Sequence, residues 1–125
     1  LYDGVLIKNT HVALAGSVTA ALQRAIAHRR AEQPIEVEVR NIAELDEALA
    51  NGAERIMLDN MSVEQVRTAV ARIRSHSAPV PIEVSGGIRL ENVRAYAEIG
   101  VDFISIGALT HSPQAVDLSM RIIPA

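Results

Sequence analysis

The sequence predicts an α/β fold in which repeated βα units build a parallel sheet, and three observations carry that prediction. Five short aliphatic runs recur along the chain. Helix-length stretches separate them, too long for hairpin connections. Each run also closes on a polar or small residue, in the same phase every time.

The runs are residues 4–8, 35–39, 55–59, 81–85 and 102–107, and their length and β-branched content favour strands. Between the first two, residues 17–30 begin at Ser17, a capping residue, and are rich in Ala, Leu, Gln and Arg. Residues 43–50 run into Asn51-Gly52, a helix-stop signal. Residues 62–75 open on Ser62 and place Val63, Val66, Val70 and Ile73 at helical spacing. Residues 90–99 end at Gly100, another stop. A last segment, 116–123, reads as a further strand or a short helix, with a strand ended by Pro124 preferred. No linker or low-complexity stretch divides the chain, so one domain over 1–125 is expected.

The phase of the runs is the most informative feature. Lys8 follows Ile7 and Val5, Glu38 follows Val37 and Ile35, and Asp59 follows Leu58 and Ile56. Ser85 follows Val84 and Ile82, and Gly107 follows Ile106 and Ile104. Side chains alternate across a strand, so the five closing residues share one face and the aliphatics the other. In a barrel the aliphatic face packs on helices, and the other points inward and opens at the C-terminal mouth. The closing residues, about one βα unit apart, are therefore expected side by side on one rim. Alternation such as Glu36-Val37-Glu38-Val39 also suits a half-exposed antiparallel strand. Five units with one geometry weigh against that reading. The inward face also carries Glu36 and Glu83, costly to bury unpaired, so either cations reach them or the interior there is wet.

Composition removes several functions. A net charge of −3 and a pI near 5.8 argue against general nucleic-acid or membrane-surface binding. The chain has no cysteine, which excludes disulfides, thiolate metal sites and a cysteine nucleophile. No apolar run approaches the roughly 20 residues that span a bilayer. With 125 residues the chain is short for a complete α/β barrel. Its start, Leu1-Tyr2-Asp3-Gly4, lacks a signal-peptide pattern and opens almost directly on a strand, as if in mid-architecture.

On the rim, Lys8, Glu38 and Asp59 offer one cation and two carboxylates. Carboxylates can hold sugar hydroxyls or a hydrated Mg²⁺, and a lysine suits a carboxylate or phosphate. Two glycine-containing ends follow, Ser85-Gly86-Gly87-Ile88 and Ser105-Ile106-Gly107-Ala108. Glycine lets backbone N–H groups approach an anion, and the last βα loops of barrels commonly hold phosphate. His11 and His111 fall just past strand ends, within reach of a ligand, whereas His28 and His76 read as solvated. No zinc spacing or nucleophile elbow is present. Met57, Met61 and Met120 read as core packing; Arg40, Arg55 and Arg89 could bind anions, with surface ion pairing the preferred role for each.

Val5-Leu6-Ile7-Lys8-Asn9-Thr10-His11, Glu36-Val37-Glu38-Val39, Met57-Leu58-Asp59-Asn60, Glu83-Val84-Ser85-Gly86-Gly87-Ile88 and Ile104-Ser105-Ile106-Gly107-Ala108-Leu109-Thr110-His111-Ser112 resemble, in order and spacing, the quinolinate phosphoribosyltransferase family. The resemblance implies a parallel-stranded incomplete, open TIM-like barrel, here the C-terminal domain of a two-domain enzyme. It implies a reaction of quinolinate with phosphoribosyl pyrophosphate and Mg²⁺ giving nicotinate mononucleotide, pyrophosphate and CO₂, in the cytoplasm, by a homodimer or higher oligomer. Lys8 would contact the anionic substrate. Glu38 and Asp59 would hold the ribose hydroxyls and metal-bound diphosphate. Ser85, Gly86, Gly87, Gly107, Ala108 and His111 would bind the 5′-phosphate. Two departures matter: Asn9-Thr10 stands where the family has Asp-Asn, and the family's N-terminal domain, with the arginines that grip quinolinate, is expected to be missing. The chain alone is then expected to be inactive. A molybdenum-transport-associated homologue, another sugar-phosphate barrel, or a non-catalytic folded fragment are the competing readings.

Overall fold

A computed structural model of the protein describes residues 3–30, 33–112 and 115–124. Eleven elements follow in chain order among them: β1 (Val5–Ile7), α1 (Asn9–Ala15), α2 (Val18–His28), β2 (Ile35–Val39), α3 (Ile42–Ala50), β3 (Arg55–Asp59), α4 (Val63–Arg74), β4 (Ile82–Ser85), α5 (Val93–Ala97), β5 (Phe103–Ile104) and α6 (Ala108–His111). Leu1 and Tyr2, where the mid-architecture start was expected, lie outside the described residues.

The strands form one sheet in the order β1-β2-β3-β4-β5, every pair parallel. Each crossover steps to the adjacent strand in the same direction. Right-handed crossovers of that kind place their helices on one side of the sheet. The result is the arc of a barrel wall, the parallel α/β sheet that the runs predicted and the open form that the resemblance implied.

The predicted phase accounts for the core. Ile35, Val37, Val39, Ile56, Leu58, Ile82 and Val84 point to the helical side and are buried with Leu22, Leu45, Val66 and Ile73 from α2, α3 and α4. Each such side chain contributes about 1.5–3 kcal/mol. The intervening residues Glu36, Arg55, Met57, Asp59, Glu83 and Ser85 are only partly buried.

Helix starts follow their capping chemistry. Ser17 accepts from the Ala20 N–H at 3.0 Å, Asn41 from Glu44 at 2.9 Å, and Ser62 and Gln65 cap reciprocally. Carboxylates tie neighbouring elements. Glu47 accepts from both the backbone and the hydroxyl of Thr19 at 2.7 Å, which lowers its pKa. Burial pushes the Asp102 carboxyl up, but the Ile82 N–H and Arg74 outweigh it and hold it below its ordinary value.

Several expectations change. The run at 102–107 is strand only over Phe103–Ile104: the Ser105 N–H still donates to the Val84 carbonyl at 2.9 Å, and the chain then turns into a loop. The helix expected over 90–99 is confined to Val93–Ala97. Helices α1 and α6 were not foreseen. The 116–123 segment is neither strand nor helix: it pairs with no strand, and Val116, Leu118, Met120, Ile122 and Ile123 are exposed. Met120 is therefore not core, and Met57 lies half-buried on the polar face, whereas Met61 is buried as expected.

Candidate active site

The sheet register sorts the rim residues into levels. Glu38 pairs with Met57, Met57 with Glu83, and Glu83 with Phe103. Asp59 pairs with Ser85 one two-residue step further towards the C-terminal ends. The five expected rim residues thus do not close five strands at one height. Lys8 and Gly107 lie beyond their strands altogether, as the residues that precede α1 and α6.

Two clusters result. In the first, the Lys8 ammonium lies 3.7 Å from Glu38 and the Asn9 N–H donates to Glu38 Oε1 at 3.3 Å. Glu38 is the one buried charged residue among those described, at 6% exposure, and its negative charge is balanced by that cation and by the start of α1. Helix α1 begins there because the Lys8 N–H donates to His11 Nδ1 at 2.9 Å. The Asn9-Thr10 departure leaves this arrangement standing, since Asn9 bonds to Glu38 through its main chain. His11 serves the helix start, and no ligand role is needed to explain it.

The second cluster is a pocket of about 500 Å³ lined by Ser85, Gly86, Gly87, Ile88, Arg89, Ser105, Gly107, Ala108, His111 and Ser112. It gathers all six residues assigned to phosphate by resemblance. Its walls depend on glycine. Gly86 has φ +85°, and a Cβ there would sit 2.7 Å from the Asn60 side chain and 2.8 Å from its backbone N. A Cβ on Gly107 would collide with the His111 imidazole, so glycine is what lets that ring lie against the loop.

Asp59 stands beside this pocket through its pairing with Ser85. The loop after it is fixed from three sides. Asn60 adopts φ +53°, its N–H donates to the Ser85 carbonyl at 3.0 Å, and Tyr96 donates to the Met61 carbonyl at 3.0 Å. Asn60 and Tyr96 escaped sequence reasoning. The Asn following the strand carried a signal, since Asn tolerates the left-handed conformation better than most residues.

Of the three arginines read as surface pairs, Arg40 does pair with Glu44 at 3.3 Å. Arg55 instead lies on the polar face, 3.9 Å from Glu36 and over the Phe103 ring at 4.9 Å. No carboxylate among the described residues pairs with Arg89, which lines the pocket as a cation. Anion binding was the second reading for Arg89, after surface pairing, and its place in the pocket favours it.

The carboxylates of the two clusters do not form a metal cage: no group of three or more His, Asp or Glu able to hold an ion occurs among the described residues. Two separated carboxylates, one half-exposed, suit Mg²⁺ delivered on a phosphate-rich ligand and keeping several waters. No helix among the described residues is long and apolar enough to cross a membrane.

Residues 1–121 match the quinolinate phosphoribosyl transferase C-terminal domain family. The nicotinate-nucleotide pyrophosphorylase (carboxylating) of Mycobacterium leprae is 46% identical over 98% of this chain and 43% of its own length. A probable enzyme of the same name from Methanocaldococcus jannaschii is 45% identical over 98% and 44%. The solved nicotinate-nucleotide pyrophosphorylase of Francisella tularensis superposes with a TM-score of 0.82 at 42% identity, covering 95% of this chain and 41% of that one. Thiamine phosphate pyrophosphorylase from Pyrococcus furiosus, at 23% identity and a TM-score of 0.60, shares the fold alone. The chain spans less than half the length of these curated relatives. With the open parallel sheet and the glycine-walled pocket, these matches establish that the chain belongs to the quinolinate phosphoribosyl transferase family, over its C-terminal domain.

Proposed function

We propose that this chain carries the phosphoribosyl half of the active site of a carboxylating nicotinate-nucleotide pyrophosphorylase. In that reaction quinolinate attacks phosphoribosyl pyrophosphate, pyrophosphate leaves, and CO₂ is lost to give nicotinate mononucleotide. The observation that carries the reading is the single pocket joining Ser85, Gly86, Gly87, Gly107, Ala108 and His111, with Asp59 on the neighbouring strand.

The 5′-phosphate fits that pocket, where Arg89 adds positive charge and the glycines let the backbone approach. Asp59 then reaches the ribose hydroxyls. It is also the group best placed to meet Mg²⁺ carried on the diphosphate, where the ion would offset charge building on the leaving group. Glu38 is closed by Lys8 and the start of α1, so its carboxylate acts as a fixed negative charge. Together Glu38 and Asp59 favour positive charge developing on the ribose ring as pyrophosphate departs, by electrostatic preorganisation without a covalent intermediate. Lys8, whose side chain is 53% exposed, can turn from Glu38 to an anionic substrate. Lys8 lies at Glu38 and Arg89 lines the pocket, while Arg55 on the same face is engaged with Glu36; a pyridine dicarboxylate needs cations clustered and free to pair. Turnover by this chain alone is therefore expected to be negligible. The homodimer and the quinolinate grip belong to this proposal on the same footing.

Calorimetric titration with phosphoribosyl pyrophosphate and Mg²⁺ tests the reading. Heat of binding is expected, and Asp59→Ala should weaken it at least tenfold. Absence of heat from a folded chain would favour a non-catalytic fragment.

A further inference from the structure

The loop after β4 is built from residues with little conformational preference of their own. Gly86 and Gly87 follow each other at φ +85° and +65°, and neither has a side chain to hold that turn. Asn60 closes on Gly86 from the end of β3. What holds the rest of the loop comes from later in the chain. Asn92 is half-buried, and its side chain reaches back five residues, where Nδ2 donates to the Gly87 carbonyl at 3.1 Å. Its Oδ1 accepts from the Arg89 N–H at 2.8 Å. The main chain completes the grip, because the Asn92 N–H donates to the Arg89 carbonyl at 3.2 Å.

Gly87, Ile88 and Arg89 all line the glycine-walled pocket, whereas Asn92 is not among its lining residues. Ile88 is buried in the core, so the middle of the loop is anchored by packing and its two flanks by Asn92. A bond from a side chain to the N–H three residues earlier is an ordinary way to open a helix, and here it leads into α5. The bond to Gly87 adds nothing to that opening. It reaches the pocket wall instead.

Among the described residues, no protein group accepts from the N–H of Gly86, Gly87 or Ile88. Successive free N–H groups of that kind attract an anion. A trans peptide carries its C=O and N–H on opposite edges, so a Gly87 carbonyl held by Asn92 turns the Ile88 N–H the other way. We propose that Asn92 is a positioning residue of the anion pocket. Its carboxamide fixes Gly87 and Arg89, so the N–H edge of the loop and the base of the Arg89 side chain are set before an anion arrives. Without it the Gly87 carbonyl is free to swing its oxygen into the pocket and repel the ligand. The consequence for anions rests on the phosphate reading of the pocket; the clamp itself does not.

Sulfate titrations of this chain, followed by nitrogen-15 NMR of the Gly86, Gly87 and Ile88 amides, test the proposal. The unaltered chain should show saturable shifts of those amides. Asn92→Ala, shown to be folded by circular dichroism, should bind about tenfold more weakly. Hydrogen exchange at the Arg89 amide should accelerate in that variant, while the amides of β2 and β3 keep their protection. Unchanged affinity in folded Asn92→Ala overturns the proposal. Arg89→Ala combined with Asn92→Ala should cost less than the product of the separate losses, because one acts partly through the other. Losses that simply multiply are what an asparagine with only a structural role gives, and they overturn it too. If Asn92→Ala does not fold, Asn92→Gln replaces it. That side chain, a methylene longer, keeps an acceptor for the Arg89 N–H but displaces the donor from Gly87. Weaker sulfate binding is expected there as well, and unchanged affinity overturns the clamp. Should the unaltered chain bind no sulfate, the phosphate reading fails and exchange alone decides: Arg89 protection lost in the variant upholds the clamp, and protection retained removes it.

Discussion

The two faces of the sheet are made by alternate residues of the same strands, yet they obey different rules. On the helical face Val37, Ile56, Leu58, Ile82 and Val84 are fully buried and any aliphatic of similar volume would serve. On the opposite face Glu36, Arg55, Glu83 and Ser85 each answer to a particular partner or to the pocket. Stability is concentrated on one face and chemistry on the other, one residue apart. A substitution at Leu58 and one at Asp59 should therefore have opposite consequences.

The largest effect expected from that contrast is Leu58→Ala. It removes a fully buried side chain of the core and should cost about 3 kcal/mol in urea unfolding. Asp59→Ala, its neighbour, should change unfolding by less than about 1 kcal/mol while losing the ligand heat described above. If both destabilise equally, the division between faces fails.

Gly86→Ala sharpens the comparison, because it lies where the faces meet. The added methyl collides with Asn60 in a backbone conformation that suits glycine. About 2 kcal/mol of stability should be lost, together with sulfate binding at the pocket. Retention of both would mean that the β3 and β4 loops need not touch.

The last effect is one of pH. The Glu36 pKa is raised, so the folded state holds its proton over a range in which the unfolded chain, near 4.5, has released it. The stabilisation is complete below about 4.5 and is lost as pH rises through about 7. Discounted for the solvent that reaches this open face, the loss is on the order of 2 kcal/mol. Urea unfolding at pH 5 and pH 8 should show it, and Glu36→Gln should flatten the difference.

The strand phase was legible because alternation is a local property: Ile35 through Val39 and Arg55 through Asp59 fall where their sequence puts them. What the sequence hid was tertiary. Helix α1 was missed because its start relies on His11 rather than a Ser, Thr, Asp or Asn cap. The segment at 116–123 alternates like a strand, but alternation creates no strand without a neighbour to pair with. Met57 looked like core because it is apolar, and parity, applied to it as it was to Glu38, would have placed it on the polar face. Among the site residues, Ser85, Gly86 and Gly87 were readable from a glycine pair, whereas anion binding by Arg89 ranked second to surface pairing, since nothing local distinguishes a pocket cation from a solvated one.

Strand order has a kinetic corollary. Every ladder in this sheet joins segments adjacent in the chain, so no pairing has to wait for a distant one, and each step closes only a modest loop. A nucleus can begin at β2-α3-β3, where the strands are longest, and zip outward in both directions. Mutations in that central unit should slow refolding, whereas those near β5 should chiefly speed unfolding.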